Sequence, residues 1–465
     1  MADSYRESNY STLEVSSSIR KDETLFKRFF RHLDWGLMAA VLALSLLGMT
    51  MIYSASSRFG NPEYYLIKQC SAFVAGFVLL ILFATINYQI FAQNLWTVFA
   101  ISLSLLLVVL VVGYTTHGAK SWISLGPVML QPAEISKLLA ILVLASWCEK
   151  HQRDMRRIKG WLPAVGIVLA HIVLILLQPD LGSTLVYFPM LIAILFVGGA
   201  PSEILVPALS FSILSASLIL LNVFLSLAPE TLEPHSLGLY LFRAFQFGKE
   251  TIVLFLAIAS VFAAAFWFLK KIRLRVSAWT AAGLFFLLSI SWVTGALFVH
   301  SLKEYQMKRL VVFFNPQVDP MGSGYHVIQS IIALGSGKIV GKGLFSGTQG
   351  QLGFLPEQHT DFIFSVLGEE LGFVVSNIVI LLYAFLVWRA LRIAAGARDL
   401  FGTLVALGIG TMFAFYAILN LAMVMGFAPV TGLPLPFFSY GGSSLLSSLA
   451  AVGILLSIHI RRYMY

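Results

Sequence analysis

Four short polar motifs stand out in this chain because each one borders a long apolar run. They occupy residues 131–137, 178–183, 359–370 and 434–443. Charged side chains beside apolar segments are costly to bury, so each motif needs a structural or a chemical reason. A carboxylate in such a place can act as a general base, and a lysine can bind an anionic group.

Asp361 is the strongest candidate for a catalytic residue. His359 precedes it, and Ser365 and Glu369 follow at one and about two helical turns, on nearly the same side of a predicted helix. Capping of that helix is the structural alternative, because aspartate caps helices well. The polar stripe below the carboxylate favours the general-base hypothesis. Glu370 points away from this face, and we interpret it as a structural partner.

The other two charged motifs allow both structural and functional interpretations. Glu134 and Lys137 are three residues apart, so on a helix they face the same way. They could form an internal ion pair, or Lys137 could contact an anionic head group. Asp180 follows Pro179 between two apolar runs, where helix capping is the favoured explanation and substrate binding the alternative.

The longest segment without a predicted span, residues 301–363, is also interpreted as functional. Its cations include Lys308, Arg309 and Lys342, and its many glycines allow backbone N–H groups to approach an anion. Lys342 lies between two glycines without the Ser or Thr of a nucleotide-binding P-loop. The amphipathic run 325–334 could be an interfacial helix or a packed loop helix.

The composition excludes a soluble enzyme. Of the 465 residues, 58% are hydrophobic and 11% are charged, against roughly 25% charged residues in an ordinary soluble domain. The net charge of +9 is explained by basic cytoplasmic loops, so no nucleic-acid partner is expected. Cys70 and Cys148 both lie in apolar runs and indicate no disulfide framework. No zinc-type spacing of Cys or His occurs.

The apolar runs predict an all-α polytopic membrane protein with about twelve transmembrane helices and a large extracytoplasmic loop. Each run is about long enough to cross a bilayer core as a helix. The predicted spans are residues 35–54, 66–87, 94–113, 131–148, 161–178, 182–199, 203–226, 251–270, 277–300, 364–388, 402–427 and 440–459.

The distribution of Lys and Arg sets the predicted orientation. The polar segment 1–34, interpreted as a flexible tail, and the loops 149–160, 270–275 and 389–398 hold most of the basic residues. The positive-inside rule then places both termini in the cytoplasm and residues 301–363 outside. All four polar motifs fall on the outer face by parity, which suggests a single site.

These motifs resemble those of the shape, elongation, division and sporulation (SEDS) family of membrane proteins. The resemblance centres on residues 347–364 and 368–372 and covers nearly the whole chain from residue 35, so residues 35–465 form one SEDS-type domain. Further matching segments are 118–123, 131–137, 178–182, 314–316, 319–320, 322–326 and 432–442. Details of residues 349–354 favour the elongation branch of the family over the division branch. The family usually has ten spans, so residues 227–300 are interpreted as a two-helix insert.

The resemblance implies a peptidoglycan glycosyltransferase in the cytoplasmic (inner) membrane, active in cell elongation and shape. It would polymerise lipid II, with Asp361 as the base. Lys137, Arg309, Lys308 and Lys342 would surround the leaving pyrophosphate, and Glu134 would orient Lys137. No cofactor is certain, although Asp361 and the substrate phosphates could hold Mg²⁺ or Mn²⁺. The implied partners are a class B penicillin-binding protein and other membrane proteins of the elongation complex.

Two alternatives from other classes stay open. One is a lipid II flippase, which needs polar residues at several depths of the membrane. The other is a non-catalytic scaffold for a transpeptidase, which would not need a carboxylate at position 361.

Overall fold

The computed structural model describes residues 32–57, 61–116, 119–125, 128–227, 236–272, 278–302, 304–318, 323–351 and 358–463. The predicted flexible tail up to residue 31, the basic residues within 273–277 and Lys303 lie outside these ranges. The described residues are mainly helical. The helices are α1 (Trp35–Ser56), α2 (Pro62–Thr85), α3 (Gln89–Gln93), α4 (Leu95–Val112), α5 (Pro132–Lys150), α6 (Ile158–Leu176), α7 (Leu181–Leu185), α8 (Tyr187–Val197), α9 (Ser202–Ser226), α10 (Leu237–Phe245), α11 (Lys249–Lys271), α12 (Ala278–Ser301), α13 (Glu304–Phe314), α14 (Ser323–Ser336), α15 (Thr348–Gln351), α16 (Ile363–Ala395), α17 (Leu400–Val424) and α18 (Gly442–Arg461).

Ten helices in the described part of the chain are long and apolar enough to cross a membrane: α1, α2, α4, α6, α9, α11, α12, α16, α17 and α18. The other two predicted spans are also helical. One is α5, which carries Glu134 and Lys137 near its start. The other is the shorter apolar stretch Leu181–Val197, which Val186 divides into α7 and α8. The fold is therefore that of a polytopic α-helical membrane protein.

A small antiparallel sheet lies between α4 and α5, which the sequence analysis did not anticipate. Its strands are β1 (Tyr114–Thr116), β2 (Ala119–Leu125) and β3 (Val128–Leu130), in the order β1-β2-β3. The strands are only three to seven residues long and do not form a continuous apolar run. A search for runs of membrane-spanning length therefore could not find them.

The helix α18 lies at the centre of the bundle and packs closely along α2. A β-carbon placed on Gly453 would lie 2.5 Å from the carbonyl oxygen of Leu80, and one on Gly76 would lie 2.5 Å from Leu449. Small residues permit such close approach between membrane helices. A second, smaller apolar cluster joins α9, α10 and α12, where the rings of Phe245 and Trp292 stack at 3.8 Å.

The segment that precedes Asp361 folds into helices that pack on the bundle. The predicted amphipathic run lies in α14, and its apolar face is divided between the protein and the exterior. Val327 and Ala333 are buried, whereas Ile331 and Ile332 are exposed. This helix packs against the first part of α16, so the packed-helix interpretation holds for its buried face.

Candidate active site where α16 begins and α17 ends

Asp361 lies in the turn that leads into α16. Phe362 occupies the N-cap position of that helix and makes no side-chain capping hydrogen bond. The side chain of Phe362 is buried, whereas Asp361 is only partly buried. The backbone carbonyl of Asp361 accepts a hydrogen bond from Asn420 of α17, at 3.0 Å. The buried Phe362 ring and the hydrogen bond from Asn420 therefore hold this turn in place, while the Asp361 carboxylate stays partly accessible.

Asp361 and Arg309 both lie next to Gly432. Gly432 has a φ of +74°, a left-handed conformation that glycine adopts without strain. A β-carbon placed on it would lie 3.6 Å from Oδ2 of Asp361 and 3.8 Å from Nη1 of Arg309. The carboxylate and the guanidinium therefore border one exposed position in the loop between α17 and α18.

The same loop contacts the other polar motifs. A β-carbon on Gly182 would collide with the carbonyl oxygen of Thr431, so the 178–183 motif is in direct contact with this loop. The backbone N–H of Tyr440 donates to the carbonyl of His359, at 2.9 Å. Ser443 accepts a hydrogen bond from the backbone N–H of Gln131, at 2.9 Å. The structure therefore brings all four motifs together around residues 426–443.

Lys137 and Glu134 form a buried ion pair. Their Nζ and Oε1 atoms are 2.6 Å apart, and the exposed fractions of the two side chains are 0% and 5%. The hydroxyl of Tyr416 donates to Oε2 of Glu134, at 2.8 Å, and also contacts the ammonium of Lys137. These contacts agree with the internal ion-pair interpretation, because both charges have partners within the protein.

Lys342 is held in a similar way by Glu369, which is fully buried. Oε1 of Glu369 lies 2.6 Å from the Lys342 ammonium and also accepts from the backbone N–H groups of Thr348, at 2.9 Å, and Gln349, at 3.1 Å. Glu370, predicted to be a structural partner, accepts a hydrogen bond from Ser54 of α1, at 2.6 Å. Glu369 therefore fastens residues 342–349 to α16, whereas Glu370 joins α16 to α1.

A break in α16 allows this fastening. Gly372 has a φ of +71°, which interrupts the helical hydrogen bonds. The segment 337–343 replaces them: Lys342 and Gly343 donate their N–H groups to the carbonyls of Glu369 and Glu370, at 3.0 and 2.9 Å. In return, the N–H of Phe373 donates to the carbonyl of Lys338, at 2.9 Å. The backbone groups freed by the break are thus satisfied within the protein.

The remaining predicted residues occupy different settings. Asp180 caps α7 through the N–H of Ser183, at 3.0 Å, and its second oxygen accepts from Gln131, at 3.1 Å. Ser365 is buried against Ser330 of α14, at 2.7 Å between the hydroxyls. Lys308 is exposed on α13.

His359 belongs to an aromatic cluster beside the site. Its ring lies 5.1 Å from that of Tyr65 and 5.3 Å from that of Tyr440. Partial burial raises the pKa of the Tyr440 phenol, so this group stays protonated at neutral pH. The cluster therefore places aromatic rings next to the Asp361 turn.

Three residues of the site were missed in the sequence: Tyr416, Asn420 and Gly432. Tyr416 and Asn420 are four apart in α17 and so share one face of the helix. A polar pair at this spacing within an apolar helix was the available signal. Gly432 gave no such signal, because a positive φ cannot be read from a glycine alone.

The fold and site define a polytopic membrane protein with a convergent polar site at one end of its helix bundle. The family model described as "Cell cycle protein", which covers FtsW, RodA and SpoVE, matches residues 35–230 and 241–464. The chain belongs to this family. The match leaves only residues 231–240 between its two parts, so most of the predicted insert lies within the matched region.

Known relatives span almost the whole chain. The peptidoglycan glycosyltransferase RodA of Treponema pallidum is 35% identical over 92% of this chain and 98% of its own length. A probable peptidoglycan glycosyltransferase FtsW of Trichlorobacter lovleyi is also 35% identical, over 91% and 92%. A solved chain from a peptidoglycan synthase complex that coordinates polymerization and crosslinking is 30% identical, with a TM-score of 0.62 over 93% and 99%. The chain accordingly falls in the peptidoglycan glycosyltransferase class of enzymes.

Proposed function

We propose that this protein polymerises lipid II into glycan strands on the outer face of the cytoplasmic membrane, with Asp361 as the general base. The observation that carries the proposal is the convergence of the Asp361 carboxylate and the Arg309 guanidinium on Gly432. A base beside a cation suits a reaction in which a hydroxyl loses a proton while a pyrophosphate gains charge.

In this reaction Asp361 takes the proton from the 4-hydroxyl of one lipid-linked sugar. The oxygen attacks the anomeric carbon of a second lipid-linked sugar, and the bond to its pyrophosphate breaks. A single displacement inverts the anomeric configuration, and the lipid pyrophosphate leaves as an anion. Arg309 and Lys308 are the proposed cations for that leaving group.

Lys137 and Lys342 enter the proposal with an added requirement. Each ammonium is engaged by a carboxylate, Glu134 or Glu369, at 2.6 Å. Direct contact with the pyrophosphate would use the third N–H of the ammonium or require exchange of that carboxylate for phosphate. Asp180, His359 and Ser365 are proposed to shape the substrate pocket.

A divalent cation stays a prediction. Among the described residues, no group of three or more His, Cys, Asp or Glu side chains could hold a metal ion. A Mg²⁺ or Mn²⁺ ion would therefore take oxygen ligands from the substrate pyrophosphate as well as from Asp361.

The proposal extends to the branch, the partner and the location. We assign the chain to the elongation branch, that of RodA, on residues 349–354. A class B penicillin-binding protein is the proposed partner, supported by the similarity to a chain solved within a synthase complex. Other membrane proteins of the elongation complex are proposed to associate with this pair. Both termini are proposed to be cytoplasmic, because the basic loops fall on that side.

A lipid II flippase is the second candidate, and a specific observation favours it. Buried polar pairs continue along the bundle from the Lys137 ion pair: Ser136 with Tyr187 and Ser102 with His171, each at 2.9 Å. Polar groups at several positions along the bundle suit a transport path. Against this, both pairs are closed hydrogen bonds within the protein.

The test uses the full-length protein, purified with a class B penicillin-binding protein, and labelled lipid II. Wild type is expected to form glycan strands, and Asp361→Asn is expected to form none. Asp399→Asn is the matched control, because Asp399 caps α17 at the opposite end of the bundle and Asn also caps well. Strand formation by Asp361→Asn would contradict the general-base role, and lipid II translocation without polymer from wild type would favour the flippase.

A further inference from the structure

A buried amide on α17 joins the candidate base to the neighbouring loop. Asn420 is 0% exposed. Its Nδ2 atom donates to the backbone carbonyl of Asp361, at 3.0 Å, and to that of Leu433, at 2.8 Å. Both acceptors are carbonyl oxygens, so the NH₂ end of the amide must face them. The two hydrogen bonds therefore define the orientation of the side chain.

These two bonds connect the three segments that meet at the site. Asn420 belongs to α17, Asp361 to the turn before α16, and Leu433 follows Gly432 in the next loop. The Asp361 carboxylate and the Arg309 guanidinium converge on Gly432. A shift of either carbonyl away from Asn420 would therefore change the distances from the Asp361 carboxylate to Gly432 and Arg309.

We infer that Asn420 is a positioning residue for the reaction, which holds Asp361 in register with Gly432 and Arg309. The inference rests on the proposed function, since it requires Asp361 to act on the substrate. Asn420 is fully buried and donates to backbone groups, so it acts through Asp361. Small displacements of a reacting group reduce the rate of the chemical step far more than substrate affinity.

The experiment measures kcat and KM for lipid II in the purified full-length protein with its penicillin-binding partner. Asn420→Leu keeps similar size and removes both donors, and kcat is expected to fall about 10- to 100-fold with KM within about twofold. Asn420→Asp is expected to retain an intermediate kcat. A buried carboxyl that faces two carbonyl oxygens stays protonated and can donate one of the two bonds.

Asn222→Leu is the matched control. Asn222 is another buried asparagine in a long apolar helix, α9, and takes no part in the site. Its replacement is expected to leave kcat unchanged. Graded kcat values in the order Asn, Asp, Leu at position 420, calculated per mole of folded protein, would support positioning. Partial unfolding lowers only the fraction of active protein, and this calculation removes that effect.

A wild-type kcat in well-folded Asn420→Leu would overturn the inference. If that variant does not yield monodisperse protein, Asn420→Asp carries the test, and a wild-type kcat there overturns the inference equally. Asp361→Asn is assayed in parallel. Its continued activity would refute the general-base role on which the inference rests, whereas an inactive Asp361→Asn beside a normal Asn420→Leu would refute only the positioning role.

Discussion

The ammonium of Lys342 lies 2.6 Å from Oε1 of Glu369, one helical turn before α16 breaks at Gly372. Glu369 is fully buried, whereas 28% of the Lys342 side chain is exposed. The pair therefore fastens Lys342, which precedes Asp361 in the chain, to a carboxylate inside the bundle. It joins the segment 342–349 to α16 just before the break in that helix.

Replacing Glu369 by Gln is expected to destabilise the protein by about 3 kcal/mol, at the lower end for removal of one partner of a buried ion pair. The exposed part of Lys342 lets its charge reach solvent, which limits the loss. Thermal unfolding in detergent measures the change. Glu203→Gln on the exposed part of α9 is the control, and equal unfolding midpoints for the two variants would contradict the prediction.

Replacing Gly432 by Ala is expected to lower turnover and to cost about 1–2 kcal/mol of stability, because alanine is strained at a positive φ. The added carbon would also occupy the position bordered by Asp361 and Arg309. Gly199→Ala is the control for backbone strain alone. Gly199 has a φ of +94°, and no neighbour lies within 4 Å of an added β-carbon. Equal turnover in both variants would show that Gly432 does not border a reaction site.

Replacing Lys137 by Met is expected to destabilise the protein by about 3–5 kcal/mol, because Glu134 would be left as an unpaired buried charge. The double variant Glu134→Gln with Lys137→Met is expected to recover much of this loss. Thermal unfolding of the single and double variants forms the test. Additive losses would contradict the coupling.

The same double variant tests the catalytic hypothesis for Lys137. If Lys137 contacts the pyrophosphate, polymerisation is expected to stay absent although stability returns. Recovery of polymerisation together with stability would show that the pair is purely structural.

The proposed orientation predicts opposite labelling of two loops. In spheroplasts, a membrane-impermeant maleimide is expected to modify Met129→Cys in β3 and to spare Arg156→Cys in the loop between α5 and α6. Both positions are exposed. The experiment uses a background in which Cys70 and Cys148 are replaced by serine. Labelling of Arg156→Cys before permeabilisation would reverse the topology.

Most of the helical fold could be predicted from the sequence because hydrophobic length is a local property. Each of the twelve apolar runs contains a helix, although α5 is too polar and Leu181–Val197 too short to count among the ten candidate spans. The sheet between α4 and α5 was missed, since its pairing depends on cross-strand contacts. The Asp180 cap was correctly favoured, because capping depends on residues three apart in the chain.

The site was only partly predictable from the sequence. Clustered polar motifs and parity indicated one shared face, and Asp361 and Arg309 indeed meet there. The partners Tyr416 and Asn420 were missed, because they come from a helix whose polar face is defined only by what packs against it.

The sequence by itself determined that this is a polytopic helical membrane protein, because the cost of burying charge in lipid leaves one class of fold for such a composition. It also determined which polar residues need an explanation. Only the tertiary structure decided that Lys137 and Lys342 are paired with carboxylates, while Asp361 and Arg309 share a position at Gly432. The Glu134–Lys137 pair is local, and the sequence offered it as one of two interpretations. The other contacts join residues distant in the chain, so their partners follow from helix packing rather than from local sequence.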